Sequence, residues 1–147
     1  MLGKGRSVTI RDVKSVLTFA VASLLLISPG DPVQIGFEIL ADFDYAEGME
    51  LPLEVVNFDE QKVVIPGFMQ AEDETDEDVE FFMLINDACG CEGTPKLNEI
   101  VFCEMPEGET TRILPGNVKI TGTLLVGEER LEDVVIGIYF LRVDKIE

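Results

Sequence analysis

From residue 60 onward hydrophobic and polar positions alternate with a period of two, and glycine, proline and acidic residues interrupt the runs, the pattern of short half-buried strands. The spacing predicts five of them. The first covers 62–66 and continues past Pro66-Gly67 through Phe68 and Met69; the others cover 79–85, 99–105, 117–126 and 134–143. In the fourth, Val118, Ile120, Leu124 and Val126 share one face and Lys119, Thr121 and Thr123 the other. Gly122 interrupts the buried face, where a barrel strand would bend. The fifth is apolar on both faces, Val134, Ile136, Ile138 and Phe140 against Val135, Tyr139 and Leu141, which predicts a central strand covered on both sides. Five strands with a long connection read as a mainly β chain folded into a small Greek-key barrel.

Upstream the period is lost. Residues 36–45 read as weakly structured or as a short strand, ending at Gly48, and 51–58 as a single helical turn with Pro52 early in it and Asp59-Glu60 closing it. No repeat or linker divides residues 31–147, so 31–58 is an N-terminal extension of one domain. The first 30 residues have a different character: a basic stretch to Lys14, an apolar run over 16–27, then Ser28-Pro29-Gly30. This is the pattern of a secretory signal, a hydrophobic helix shorter than the ~20 residues of a membrane span. The cleavage site is not clean, since Leu26 stands two before Ser28 and Ala20-Val21-Ala22 lies inside the run. No cysteine precedes Cys89, so a lipoprotein's acyl acceptor is absent. Residues 1–30 are therefore expected to be a signal peptide or signal-like anchor, the rest lying in the periplasm or cell envelope. Membrane contact is expected only through 16–28, if the signal is retained.

Charge narrows the partners. Lysine and arginine number 11 against 29 aspartate and glutamate, a net −18 in 147 residues. Lys4, Arg6, Arg11 and Lys14 lie in the first 14 positions with only Asp12 opposing them, so the acidity belongs to the domain. Such a surface repels phosphate backbones and, with no tryptophan as a stacking platform, excludes nucleic acid as a partner. The run from Glu72 to Asp78 lacks the glycine and spacing of a calcium loop and reads as a solvated hairpin tip.

Chemistry concentrates in the loop 86–98, where Cys89, Cys91, two glycines and Pro95 lie between two strand patterns. The chain has no histidine, which removes Ser-His and Cys-His nucleophile activation and the usual neutral-pH proton shuttle. Gly90 and Gly93 form neither dinucleotide nor P-loop motifs. Carboxylate pairs carry no information in so acidic a chain. Three readings of the thiols stay open. Cys89 and Cys91 could ligate zinc or copper with Cys103 as third ligand and Asp87, Glu92 or water as fourth. Cys91–Cys103 could form a disulfide worth about 3 kcal/mol in the chain-entropy model, or Cys89–Cys91 a strained, more oxidising one. Or the thiols are inert, with Cys103 a small core hydrophobe.

At Val64-Ile65-Pro66-Gly67-Phe68-Met69 the chain resembles bacterial proteins grouped as domain of unknown function 3299. The resemblance tightens in the loop. There a Cys-x-His pair, a proline run and an asparagine of that family fall on Cys89, Cys91, Pro95 and Asn98, ahead of Ile100 and Val101. It extends through Val118-Lys119-Ile120-Thr121-Gly122-Thr123-Leu124 and covers roughly 50–147. Two departures stand out: Cys91 replaces the family's histidine, and Gly93 and Thr94 replace prolines. A role needing imidazole does not transfer, whereas soft-metal or thiol chemistry survives the exchange. The resemblance implies an exported envelope protein with an OB-like barrel and no known activity. The reading is thus a non-catalytic envelope module presenting the 86–98 loop, with Cys89, Cys91, Pro95 and Asn98, to a protein or small ligand. The alternative is a soft-metal or thiol-redox protein using Cys89 and Cys91.

Processing is directly testable: the intact mass of envelope-purified protein should correspond to a chain starting between roughly Ala22 and Asp31. A full-length mass with tight membrane association would favour the anchor instead.

Overall fold

The structure, a computed structural model, describes residues 30–72, 78–87 and 93–147. The predicted signal helix therefore lies outside the described residues. Two short helices and a strand fragment precede the main strands: β1 (Val33–Gln34), α1 (Phe37–Leu40) and α2 (Leu53–Val56). The rest comprises β2 (Gln61–Gln70), β3 (Phe81–Ile85), a 3-10 turn (Leu97–Glu99), β4 (Ile100–Glu104), β5 (Asn117–Leu131) and β6 (Val134–Ile146). All six strands belong to one sheet. Antiparallel pairs join β2 to β3, β3 to β4, β5 to β6 and β2 to β5, while β4 lies parallel to β6. β1 adds a short parallel partner to β2.

The five predicted strands are present with shifted limits. β2 runs straight through Pro66, and its pairing explains why. On one edge β1 takes Val63 and Val64 and β3 takes Phe68 to Gln70, leaving a gap between them. Val64 O accepts from Ile35 N on that edge, and residues two apart point the same way, so the missing N–H of Pro66 falls in the gap. β3 starts later than predicted, at Phe81, and Val79 instead makes an isolated bridge to Thr111. β5 and β6 run on as a long hairpin, with register shifts at Thr121/Gly122 and again between Val126 and Arg130. Gly122 marks a close crossing, because a Cβ there would strike the carbonyl of Arg142 on β6. The bend expected at this glycine thus coincides with a bulge.

Two expectations are corrected. Residues 36–45 contain a helical turn, α1, rather than a short strand, and it buries Phe37 and Leu40 at i, i+3 spacing. β6 does lie between β4 and β5, and Ile138 and Tyr139 are both fully buried, but the strand's N-terminal end is not covered on both sides: Val134 is 66% and Ile136 39% exposed. Its other face, with Val135, Tyr139, Leu141 and Val143, is buried.

The core is built from the inner faces of β2 to β6, including Val63, Ile65, Leu84, Val101, Ile120, Leu124 and Leu141. Ile35, Phe37, Leu40 and Val55 of the extension join the same cluster, so the extension forms part of the core's wall. Polar contacts pin it there. Tyr139, fully buried, donates its hydroxyl to Leu40 O at 2.8 Å. Glu128 Oε1 accepts from Tyr45 Oη at 2.7 Å and from Gly48 N at 2.6 Å, and Arg130 bridges Glu47 and Glu128. These amide and hydroxyl donors hold the Glu128 carboxyl below its usual range, while burial, then the bonded Glu128, push Tyr45 up to about 12. Burial also raises Tyr139.

A phenol whose folded pKa is raised contributes stability that is complete below its unfolded value of 10.0 and is lost as pH rises through the folded value. With two tyrosines and no tryptophan, absorbance near 295 nm reads both phenols cleanly. At about pH 11 the native protein should show little phenolate and the urea-unfolded chain most of it, with stability falling from about pH 10 upward. Equal phenolate signals in the two states would contradict the pinned geometry.

Candidate functional site

The predicted site loop joins β3 to β4. Cys89 and Cys91 fall in 88–92, outside the described residues, as does 73–77 of the acidic tract. Of that tract, Asp78 is described and accepts from Arg112 Nε at 3.0 Å. The described part of the loop is shaped by its own backbone. Gly93 adopts φ 100°, a conformation that favours glycine, and Thr94, Pro95 and Lys96 follow on the surface. The main chain then closes into the 3-10 turn: Glu99 N donates to Lys96 O at 2.9 Å, and Lys96 N donates to Glu99 Oε2 at 2.7 Å.

That turn rotates Asn98 inward. Its side chain is 1% exposed, making it the one buried amide among the described residues. Nδ2 donates to Phe43 O at 2.7 Å, so the amide bonds the extension. The physical reason is local: one turn of 3-10 helix points the middle residue away from the loop and into the seam. Oδ1 is buried with no hydrogen-bond partner among the described residues. Buried acceptors are nearly always satisfied, so this one marks a site where a donor would be favourable.

Beside this seam lies a cleft of about 60 Å³. Asn86, Asp87, Thr94 and Pro95 line it from the loop, Glu99 from the turn and Ala41 from the extension. The Asn98–Phe43 bond therefore couples both walls, since Glu99 follows one partner and Ala41 stands two residues before the other. Drug-sized ligands occupy about 300 Å³ or more, so the cleft suits a few heavy atoms or one partner side chain.

Pro95 and Asn98 are thus placed together, the first exposed at the cleft and the second buried behind it. Cys103 is not in the cleft. It sits on the inner face of β4 at 1% exposure, a free thiol 3.7 Å from Val101 O, and burial pushes its pKa well up. Among the described residues no three Cys, Asp or Glu side chains converge as a metal group, and no helix is long and apolar enough to cross a membrane. Ala41 and Phe43 were not predicted as part of the site. Nothing local could have found them, because Phe43 lies 55 positions from Asn98.

Asn98→Ala removes the side-chain donor to the part-buried carbonyl of Phe43 and should cost about 1–2 kcal/mol in urea unfolding. Asn98→Asp should cost more, because it replaces the donor by a buried charge. Stability unchanged in both variants would show that the seam bond does not hold the loop.

None of the curated proteins compared matches the chain. The fold is similar to the crystal structure of a DUF3299 family protein from Pseudomonas aeruginosa PAO1, with TM-score 0.55 and 16% identity, over 80% of this chain and 95% of that one. A second similarity, to a putative aspartyl-tRNA synthetase from Leishmania major Friedlin, has TM-score 0.42 and 10% identity over 84% of this chain and 22% of that one. The family described as Protein of unknown function (DUF3299) matches residues 42–147, from the pinned extension through β6. The chain belongs to that family.

Proposed function

We propose that the protein is a non-catalytic, exported envelope module in which an OB-like barrel presents the 86–98 loop to a protein or small ligand. The barrel reading is supported by the pairings, which run from β2 through β3, β4, β6 and β5 back to β2 with β4 and β6 parallel. Export is supported by the basic and then apolar pattern of residues 1–30. The absence of histidine supports a binding rather than a catalytic role. One observation carries the proposal: the cleft beside the buried Asn98, whose walls are the loop and the extension.

The loop is a protein-like surface of amide, carboxylate, hydroxyl and proline groups around a small hole, chemistry that reads a side chain or short polar ligand. The test compares Asn98→Ala with Cys89→Ala/Cys91→Ala, each confirmed folded, in capture of envelope partners and in titration with zinc(II) and copper(I). The module reading expects Asn98→Ala to weaken capture more than the double cysteine variant does. If the cysteine variant alone abolishes capture, or if tight metal binding disappears with it while Asn98→Ala retains both, the loop is a soft-metal or thiol-redox site.

A further inference from the structure

The outer face of the sheet carries a second feature, remote from the loop. Met83 on β3 pairs with Phe102 on β4, Phe102 with Phe140 on β6, and Phe140 with Leu125 on β5. Each of the four is flanked by a core residue, such as Phe82, Val101, Leu141 or Leu124, and strand side chains alternate in direction. All four therefore point away from the core, in one row across four strands. At the usual strand spacing that row is about 14 Å long.

Its centre is ordered. The Phe102 and Phe140 rings stack with centroids 5.5 Å apart and planes 20° apart. They lie over Gly137, where a Cβ would come within 2.7 Å of both rings. Around the pair, Phe81 is 61% and Leu131 67% exposed, and with Ile136 they extend the row into an open groove of about 730 Å³. The uncovered face of β6 is part of this groove. Contiguous exposed apolar surface with a polar rim is the usual mark of a protein interaction site.

The rim says what kind of partner fits. Among the described residues, Glu72, Glu104 and Glu129 border the groove against a single cation, Arg142. Glu104 and Arg142 are register partners on β4 and β6, which leaves Glu72 and Glu129 as the unbalanced charges. The chain's net −18 adds a repulsive background for any acidic surface, a second copy included. We propose that the Phe102–Phe140 groove docks a basic amphipathic segment of a partner protein, apolar side chains on the stacked rings and Lys or Arg toward Glu72 and Glu129. No described residue of this groove lines the loop cleft, so this proposal and the loop reading fail independently.

The probe is a fluorescein-labelled peptide of alternating leucine and lysine, followed by anisotropy with the full chain. A leucine–glutamate peptide and a serine–lysine peptide of equal length serve as controls. Only the first should bind. Phe81→Ser with Leu131→Ser changes two mostly exposed side chains, so the fold should persist by circular dichroism while affinity falls by about tenfold or more. Glu72→Gln with Glu129→Gln should weaken binding several-fold and flatten its salt dependence. The proposal is overturned if the leucine–lysine peptide does not bind, or if it binds the Phe81/Leu131 variant as tightly as the parent, which would mean adsorption to net charge alone. It is equally overturned if sedimentation finds the parent dimeric and that variant monomeric, since a second copy would then be the occupant.

Discussion

Two buried side-chain donors, the Tyr139 hydroxyl and the Asn98 amide, both end on backbone carbonyls of residues 40–43. An unbonded donor in either place would carry the desolvation cost of a polar group taken from water, about 1–3 kcal/mol. The extension must therefore lie where it does for the sheet's interior to be satisfied. Once there, it contributes Phe37, Leu40 and Val55 to the core and supplies one wall of the loop cleft. The fold's closure and the site's geometry thus depend on the same few contacts.

The two faces of the sheet face opposite demands. Inside, aliphatic side chains pack around the Cys103 thiol, which donates weakly to Val101 O, and burial keeps that thiol protonated. Outside, a half-buried row of apolar side chains, flanked by the exposed Phe81, Leu131 and Ile136, lies beside carboxylates. The stacked Phe102 and Phe140 rings support the sheet as a cross-strand pair, whereas the exposed side chains of Phe81 and Leu131 bury their apolar surface only when a partner covers them.

Periodicity was a sound guide to where strands occur because alternation is a local property of the chain. It was a poor guide to what covers them. β6 reads as apolar on both faces, yet Ile136 and Val134 are open to solvent, because coverage depends on which distant elements pack there. α1 escaped the reading because Phe37 and Leu40 form only one helical repeat, too short to distinguish from a short strand. Asn98 stands out in the sequence as a residue of the loop, but its partner Phe43 does not, since the contact spans 55 positions.

What the sequence by itself determined is chemical and local: strand periodicity, strong acidity, the absence of histidine, the spacing of Cys89, Cys91, Pro95 and Asn98, and the family these residues resemble. Only the tertiary structure decided that Asn98 faces the extension, that Cys103 belongs to the core, and that one apolar row of β3 to β6 points outward. The reason is physical. Residue type and spacing are carried by neighbouring positions, whereas burial and hydrogen-bond satisfaction are settled between groups that meet only after the sheet has paired.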